Sequence, residues 1–220
     1  MIKIINLRKT QPEIVHVEDM WIGRLNENLK SAGYKIASAK EVAEAQISII
    51  DRTGRHLHIP YIPPGFVKEG IIHSSRNVYH LTHISPLINN AREVDKIVSS
   101  RWDHHLYLNQ EQLEQALVGS IELKNHQNSI PTARFGEDEI TNYLFGETAQ
   151  KYGELIKEKG QAEMDIFCSE YGFGKNSAFY EPMLNEPYAE LCSFSPHDAT
   201  ISHDLSAKGT NFFCIRDKKT

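Results

Sequence analysis

The sequence is short of cysteine, with Cys168, Cys192 and Cys214 as its three thiols in 220 residues. An odd, small number excludes a disulfide framework and reads as free thiols in a reducing compartment. No stretch approaches the roughly 18 consecutive apolar residues of a spanning helix, so the chain reads as soluble with no membrane span. The opening MIKIINLRKT lacks the apolar core, about 7–15 residues long, of a cleaved signal peptide. A chain exported without a cleaved signal would look the same. Excess positive charge is also missing. Lys+Arg number 24 against 29 Asp+Glu, a formal charge of -5, which argues against a duplex-DNA coat. There is no HExxH, no CxxC and no GxxxxGK[ST], and Gly172-Phe173-Gly174-Lys175 is too short to be a phosphate loop. Internal repeats and low-complexity tracts are absent.

What is present is a globular composition, 40% hydrophobic and 24% charged, with the length of one domain or two small ones. Histidine is abundant at 11 residues, and many are paired: His56 with His58, His80 with His83, His104 with His105, His197 with His203. Histidine is the commonest metal ligand and general base. The pairs lack ligand spacing for zinc. His197-Asp198 with His203-Asp204 comes nearest, and no metal site is expected.

Periodicity predicts a strand at 2–6 and a helix over 13–33, carried by Trp21, Ile22, Leu25 and Leu29 and stopped at Gly33. Ser38 and Glu41 have capping-box spacing for a short helix through Ala45. The β-branched run 46–50 and the alternating 55–61 predict a hairpin, ended by Pro60, Pro63 and Pro64. That proline cluster divides a small N-terminal αβ segment, 1–65, from the remainder, 66–220. Further strands are expected at 77–81, 104–108, 117–123, 188–193, 199–203 and 211–215. Helices are expected after Ser85-Pro86, after Asn109 with Gln112, and within 138–160; 161–168 is ambiguous. Helices early and strands late point to an α+β fold.

Three features carry possible chemistry. Cys168 opens a Gly-, Asn- and Pro-rich segment, so a Cys–His hydrolase or deamidase is one reading, whereas Cys192 and Cys214 sit in apolar strands and read as core. In Val78-Tyr79-His80-Leu81-Thr82, alternation puts His80 and Thr82 on one strand face and Tyr79 on the other. In Tyr188-Ala189-Glu190-Leu191, one acid enters an otherwise apolar strand and needs a partner or a purpose. It shares a face with Tyr188 and Cys192.

The segment VYHLTHISPLINNAREVDKIVSS resembles the first motif of bacterial mono-ADP-ribosyltransferase toxins and effectors. GSIELKNHQNSIPTARFG is similar to a later segment of some type III secreted members, and YAELCS resembles the strand of the catalytic glutamate. Together they span roughly 72–205 in the expected order. The resemblance implies a split, mostly antiparallel sheet with helices at one end. It implies NAD as co-substrate and a macromolecular acceptor, with a protein the expected one. It further implies a bacterial product that acts after export without a cleaved signal. On this reading Glu190 stabilises the cationic anomeric carbon and His80 binds a ribose hydroxyl, supported by Thr82 or Tyr79. Phe135 or Tyr143 flanks the nicotinamide, and Arg76 meets the diphosphate. The middle-strand residue is unassigned, and the segment lacks the paired acid of the arginine-modifying members. A non-enzymatic protein-interaction module and a metal-dependent hydrolase stay open as alternatives.

Overall fold

The computed structural model describes residues 3–6, 14–18, 22–53, 64–75, 78–90, 106–124, 127–167, 186–196, 199–203 and 211–217. The strands are β1 (Lys3–Asn6), β2 (Ile14–Glu18), β3 (Tyr34–Ile36), β4 (Gly65–Ser75), β5 (Val78–Thr82), β6 (Leu106–Tyr107), β7 (Ile121–Leu123), β8 (Gln127–Pro131), β9 (Glu163–Phe167), β10 (Tyr188–Ser195), β11 (Thr200–His203) and β12 (Asn211–Arg216). The helices are α1 (Ile22–Ser31), α2 (Ala39–Thr53), α3 (Pro86–Asn89), α4 (Gln110–Leu117), α5 (Glu139–Phe145) and α6 (Ala149–Glu158).

The twelve strands among the described residues join one sheet, ordered β1-β2-β12-β4-β10-β11-β9-β8, with β3 on β12, β5 on β4, β7 on β5 and β6 on β10. Among the described residues, only the β11–β9 and β12–β4 pairings are parallel. The N-terminal strands β1 and β2 attach to the sheet through C-terminal β12, so the segment before the proline cluster shares a sheet with the rest.

Two apolar layers sandwich the sheet. Residues alternate along each strand, and each layer takes one face. On the first face Val67, Ile71, Leu81, Cys192, Phe194 and Phe213 pack under α2, α5 and α6, through Val42, Phe145 and Tyr152 among others. On the second, Phe66, Ile72, Ala189, Leu191 and Phe212 pack under α1, α3 and α4, through Leu25, Leu29, Leu87 and Leu113. The helices thus cover both faces of the sheet rather than one end. This explains why β10 is buried along its whole length.

Local signals fix several boundaries. Ser38 and Glu41 form the expected reciprocal cap of α2: the Ser38 N–H donates to Glu41 Oε2 at 2.8 Å and the Glu41 N–H to Ser38 Oγ at 3.1 Å. Asn109 and Gln112 do the same for α4, and Ser85 caps α3. The helix expected within 138–160 is two helices broken at Gly146, where φ is +56°.

Two assignments are corrected. Residues 14–18 are strand β2, not helix: Ile14 enters one apolar layer and Val15 and Val17 the other, the two-residue period of a strand buried on both faces. The helix begins only at Ile22. Residues 46–50 belong to α2, not to a strand, because Val42, Ala45, Gln46 and Ile49 recur at helical spacing, and Val42, Ala45 and Gln46 are buried. Tertiary packing overrides the β preference of isoleucine here. The expected strand at 55–61, with His56 and His58, lies outside the described residues.

Candidate functional site

Glu190 stands near the start of β10, opposite Ile71 of β4. Its side chain is buried and its Oε2 lies 3.1 Å from Nε2 of His73 on β4. Register explains the meeting: Tyr188 is opposite His73, two residues from Glu190 on the same face, so His73 and Glu190 are diagonal neighbours. Aromatic rings enclose the pair. Tyr107, Tyr188, His73 and Tyr79 are successive register partners across β6, β10, β4 and β5. Tyr188 stacks on the His73 ring with centroids 4.0 Å apart and planes 15° apart, and Tyr79 meets its edge at 4.8 Å and 81°. Below, Ser85 donates its hydroxyl to the Glu190 carbonyl at 2.9 Å. The expectation that Glu190 shares a face with Tyr188 and Cys192 holds. His73 was not anticipated, because its strand reads Gly-Phe-Val-Lys-Glu-Gly-Ile-Ile-His-Ser-Ser and lacks alternation.

His80 stands on the opposite face. It pairs in register with Ile72 of β4, which belongs to the second apolar layer, and with Glu122 of β7. Thr82 shares this face and its hydroxyl donates to the Ile84 carbonyl at 3.4 Å, while Tyr79 points to the Glu190 side. One ligand therefore does not touch the Glu190 and His80 side chains through the sheet. Half-burial lowers the pKa of His80 below the usual imidazole value, opposed by the charge of Glu122. Its Nε2 lies 3.1 Å from Ser74 Oγ.

Phe135 is a core residue, 1% exposed, packed with Phe145 and Tyr152, which corrects its reading as a nicotinamide platform. Tyr143 stacks on His83 at 3.9 Å and 9°, and donates its hydroxyl to the Gly119 carbonyl at 2.7 Å. Burial lowers the pKa of His83, aided by Lys68, and raises that of Tyr143. Cys192 and Cys214 are buried, as expected of core thiols. Arg76, Cys168, His104, His105 and His197 lie outside the described residues. Among the described residues no group of three or more His, Cys, Asp or Glu is placed to hold a metal ion.

Two other buried ionisable groups among the described residues contribute to the pH response. His16 on β2 packs against Phe213 at 4.5 Å, and its Nε2 has no hydrogen-bond partner among the described residues. Burial lowers its pKa to about 4. Glu69 on β4 accepts the Ala39 N–H at the start of α2 at 3.0 Å, yet burial pushes its pKa up to about 8 against that bond. As pH falls from 6.5 towards 4, only the unfolded chain protonates His16, so stability falls. As pH rises from 4.5 towards 8, only the unfolded chain ionises Glu69, so stability again falls. The two slopes, each about 1.4 kcal/mol per pH unit, oppose each other where the windows overlap. The urea midpoint should therefore drop between pH 6.5 and 8, and Glu69→Gln should flatten that drop. A drop of the same size in the Gln variant would refute the assignment to Glu69.

The sequence matches no protein-family model, and no curated protein is significantly similar to it. The fold is similar to that of a solved structure from work on the accommodation of massive sequence variation in Nanoarchaeota by the C-type lectin fold. The identity is 13% and the TM-score 0.59, over 95% of this chain and 98% of that one. At that identity the likeness is one of fold.

Proposed function

We propose that the chain is a recognition module with a helix-covered sheet as scaffold. It meets a macromolecular ligand at the sheet end where β4, β6 and β7 finish and β5 and β10 begin. One observation carries this reading. Glu190 is enclosed with His73 beneath the Tyr188 and Tyr79 rings, while His80 faces the other way. The acid that a transferase would use is packed as a structural pair. The fold likeness is a second support, since the protein it involves is described as accommodating massive sequence variation on its fold. A scaffold whose ladder and two apolar layers carry the stability tolerates changes at its rim.

The test has two arms. Calorimetric titration with NAD should give no binding heat, and no nicotinamide should be released. A library randomised at the exposed rim positions Ser75, Asn109, Lys124 and Glu186 should yield folded variants that can be selected for new protein ligands. The same randomisation at the buried Ala189, Leu191 and Phe194 should yield none.

The rival is NAD-dependent mono-ADP-ribosyl transfer centred on Glu190 alone. It is favoured by the presence of Tyr188 and Tyr79, two rings able to flank a nicotinamide, beside that carboxylate. Nicotinamide release that disappears in a folded Glu190→Ala protein would establish this rival and overturn the recognition reading.

A further inference from the structure

On the face of the sheet turned away from Glu190, three adjacent strands bring a hydroxyl, an imidazole and a carboxylate into line. Ser74 is the penultimate residue of β4, His80 the middle of β5 and Glu122 the middle of β7. His80 and Glu122 are direct register partners, which puts their Cβ atoms about 5 Å apart. Ser74 Oγ lies 3.1 Å from His80 Nε2, leaving Nδ1 as the nitrogen available to Glu122. We infer that Ser74 is an acyl-accepting nucleophile, with His80 as its general base and Glu122 as the residue that positions the ring, and that the chain cleaves small carboxylic esters at this face.

Four observations support the assignment beyond the spacing. The β4–β5 register shifts between His73 and Ser75, so Ser74 sits in an irregularity of the ladder rather than in a regular pair. Bulges of this kind re-aim a side chain and are over-represented next to active sites. Ser74 and His80 are half-buried and Glu122 is exposed, so a small substrate can reach the hydroxyl, unlike the enclosed Glu190. Half-burial lowers the His80 pKa and so favours the neutral ring, the state in which Nε2 takes a proton. The competing acceptor for the Ser74 proton, the Val78 carbonyl, is farther away at 3.4 Å.

The chemistry balances without a cofactor. Ser74 Oγ bonds to the ester carbonyl carbon as its proton passes to His80 Nε2. The tetrahedral adduct collapses, the bond from that carbon to the alcohol oxygen breaks, and the departing alkoxide takes the proton from His80. Water repeats the sequence on the acyl-serine, releasing the acid and restoring the Ser74 hydroxyl.

The full chain should be incubated with a fluorophosphonate probe and digested for mass spectrometry, and its hydrolysis of p-nitrophenyl acetate measured in parallel. The modification is expected on Ser74. Hydrolysis should fall about a hundredfold in Ser74→Ala and in His80→Gln, the order of a general-base contribution. Glu122→Gln should retain more activity and shift the acidic limb of the rate–pH profile to lower pH, since the carboxylate raises the ring's proton affinity. An unlabelled Ser74 in the folded wild-type protein, or undiminished hydrolysis by Ser74→Ala, would overturn the inference. The labelling arm needs no variant to fold. Neither arm involves NAD or a protein ligand, so failure here leaves the recognition reading untouched.

Discussion

Replacing His73 with leucine should lower stability by about 3 kcal/mol, whereas replacing His73 and Glu190 together with leucine and methionine should lower it by much less. The reason is the difference between breaking a buried pair and deleting it. In the single variant the Glu190 carboxylate stays in β10, a strand buried from end to end, but loses the imidazole 3.1 Å away. A buried acid without that partner bears most of its desolvation penalty. In the double variant the site becomes apolar and joins Ile71, Leu81 and Cys192, which already line that face. Loss of the Tyr188 stack on the ring subtracts about 1 kcal/mol from both variants and cancels in the comparison. Urea unfolding of the wild type, the two single variants and the double variant gives the coupling directly. A coupling near zero would mean that the pair does not act as a unit. The structural account of Glu190, and with it the main support for the recognition reading, would then fail.

The sequence made parts of this architecture legible because some signals are local. Ser38 with Glu41 and Asn109 with Gln112 are capping chemistry contained within four residues, and Ser85-Pro86 opens a helix as its pattern predicts. The three closing strands are apolar enough to stand out alone. The central strand β4 was invisible for the opposite reason. Its Glu69 is satisfied by the Ala39 N–H, thirty residues away in sequence, and His73 by Glu190, 117 residues away. Polar residues that read as surface are interior residues with distant partners. The run at 46–50 misled because its β-branched residues favour strand locally, while α2 is held by the first apolar layer. For the site, alternation correctly separated Tyr79 from His80 and Thr82. The face that each strand presents to its neighbour is a property of register, and a single sequence does not carry register between β5 and β10. The Glu190–His80 pairing depended on that missing information.

Gly70→Ala should be among the most damaging single methyls at the described glycines, with an expected loss of about 3 kcal/mol or more. A Cβ at Gly70 would stand 2.6 Å from Ser85 Cβ, 2.7 Å from Ser85 Oγ and 2.7 Å from the Glu190 carbonyl oxygen. None of these is the far end of a flexible side chain. Ser85 is held by its bond to that same carbonyl and by its place as the cap of α3, and the carbonyl belongs to β10. Relief therefore requires moving α3 away from the sheet or parting β4 from β10, the contact that also brings His73 to Glu190. Gly119→Ala is the matched control: its φ of +71° is strained for alanine, but its Cβ would meet nothing within 4 Å, so the loss should be held to about 1–2 kcal/mol. Adding Ser85→Gly to Gly70→Ala removes the obstructing side chain at the expense of the helix cap, which for glycine is only about a few tenths of a kcal/mol, and should restore part of the loss. Equal urea midpoints for Gly70→Ala and Gly119→Ala would show that the sheet yields at this point, and that α3 is not seated against β10 as tightly as these distances require.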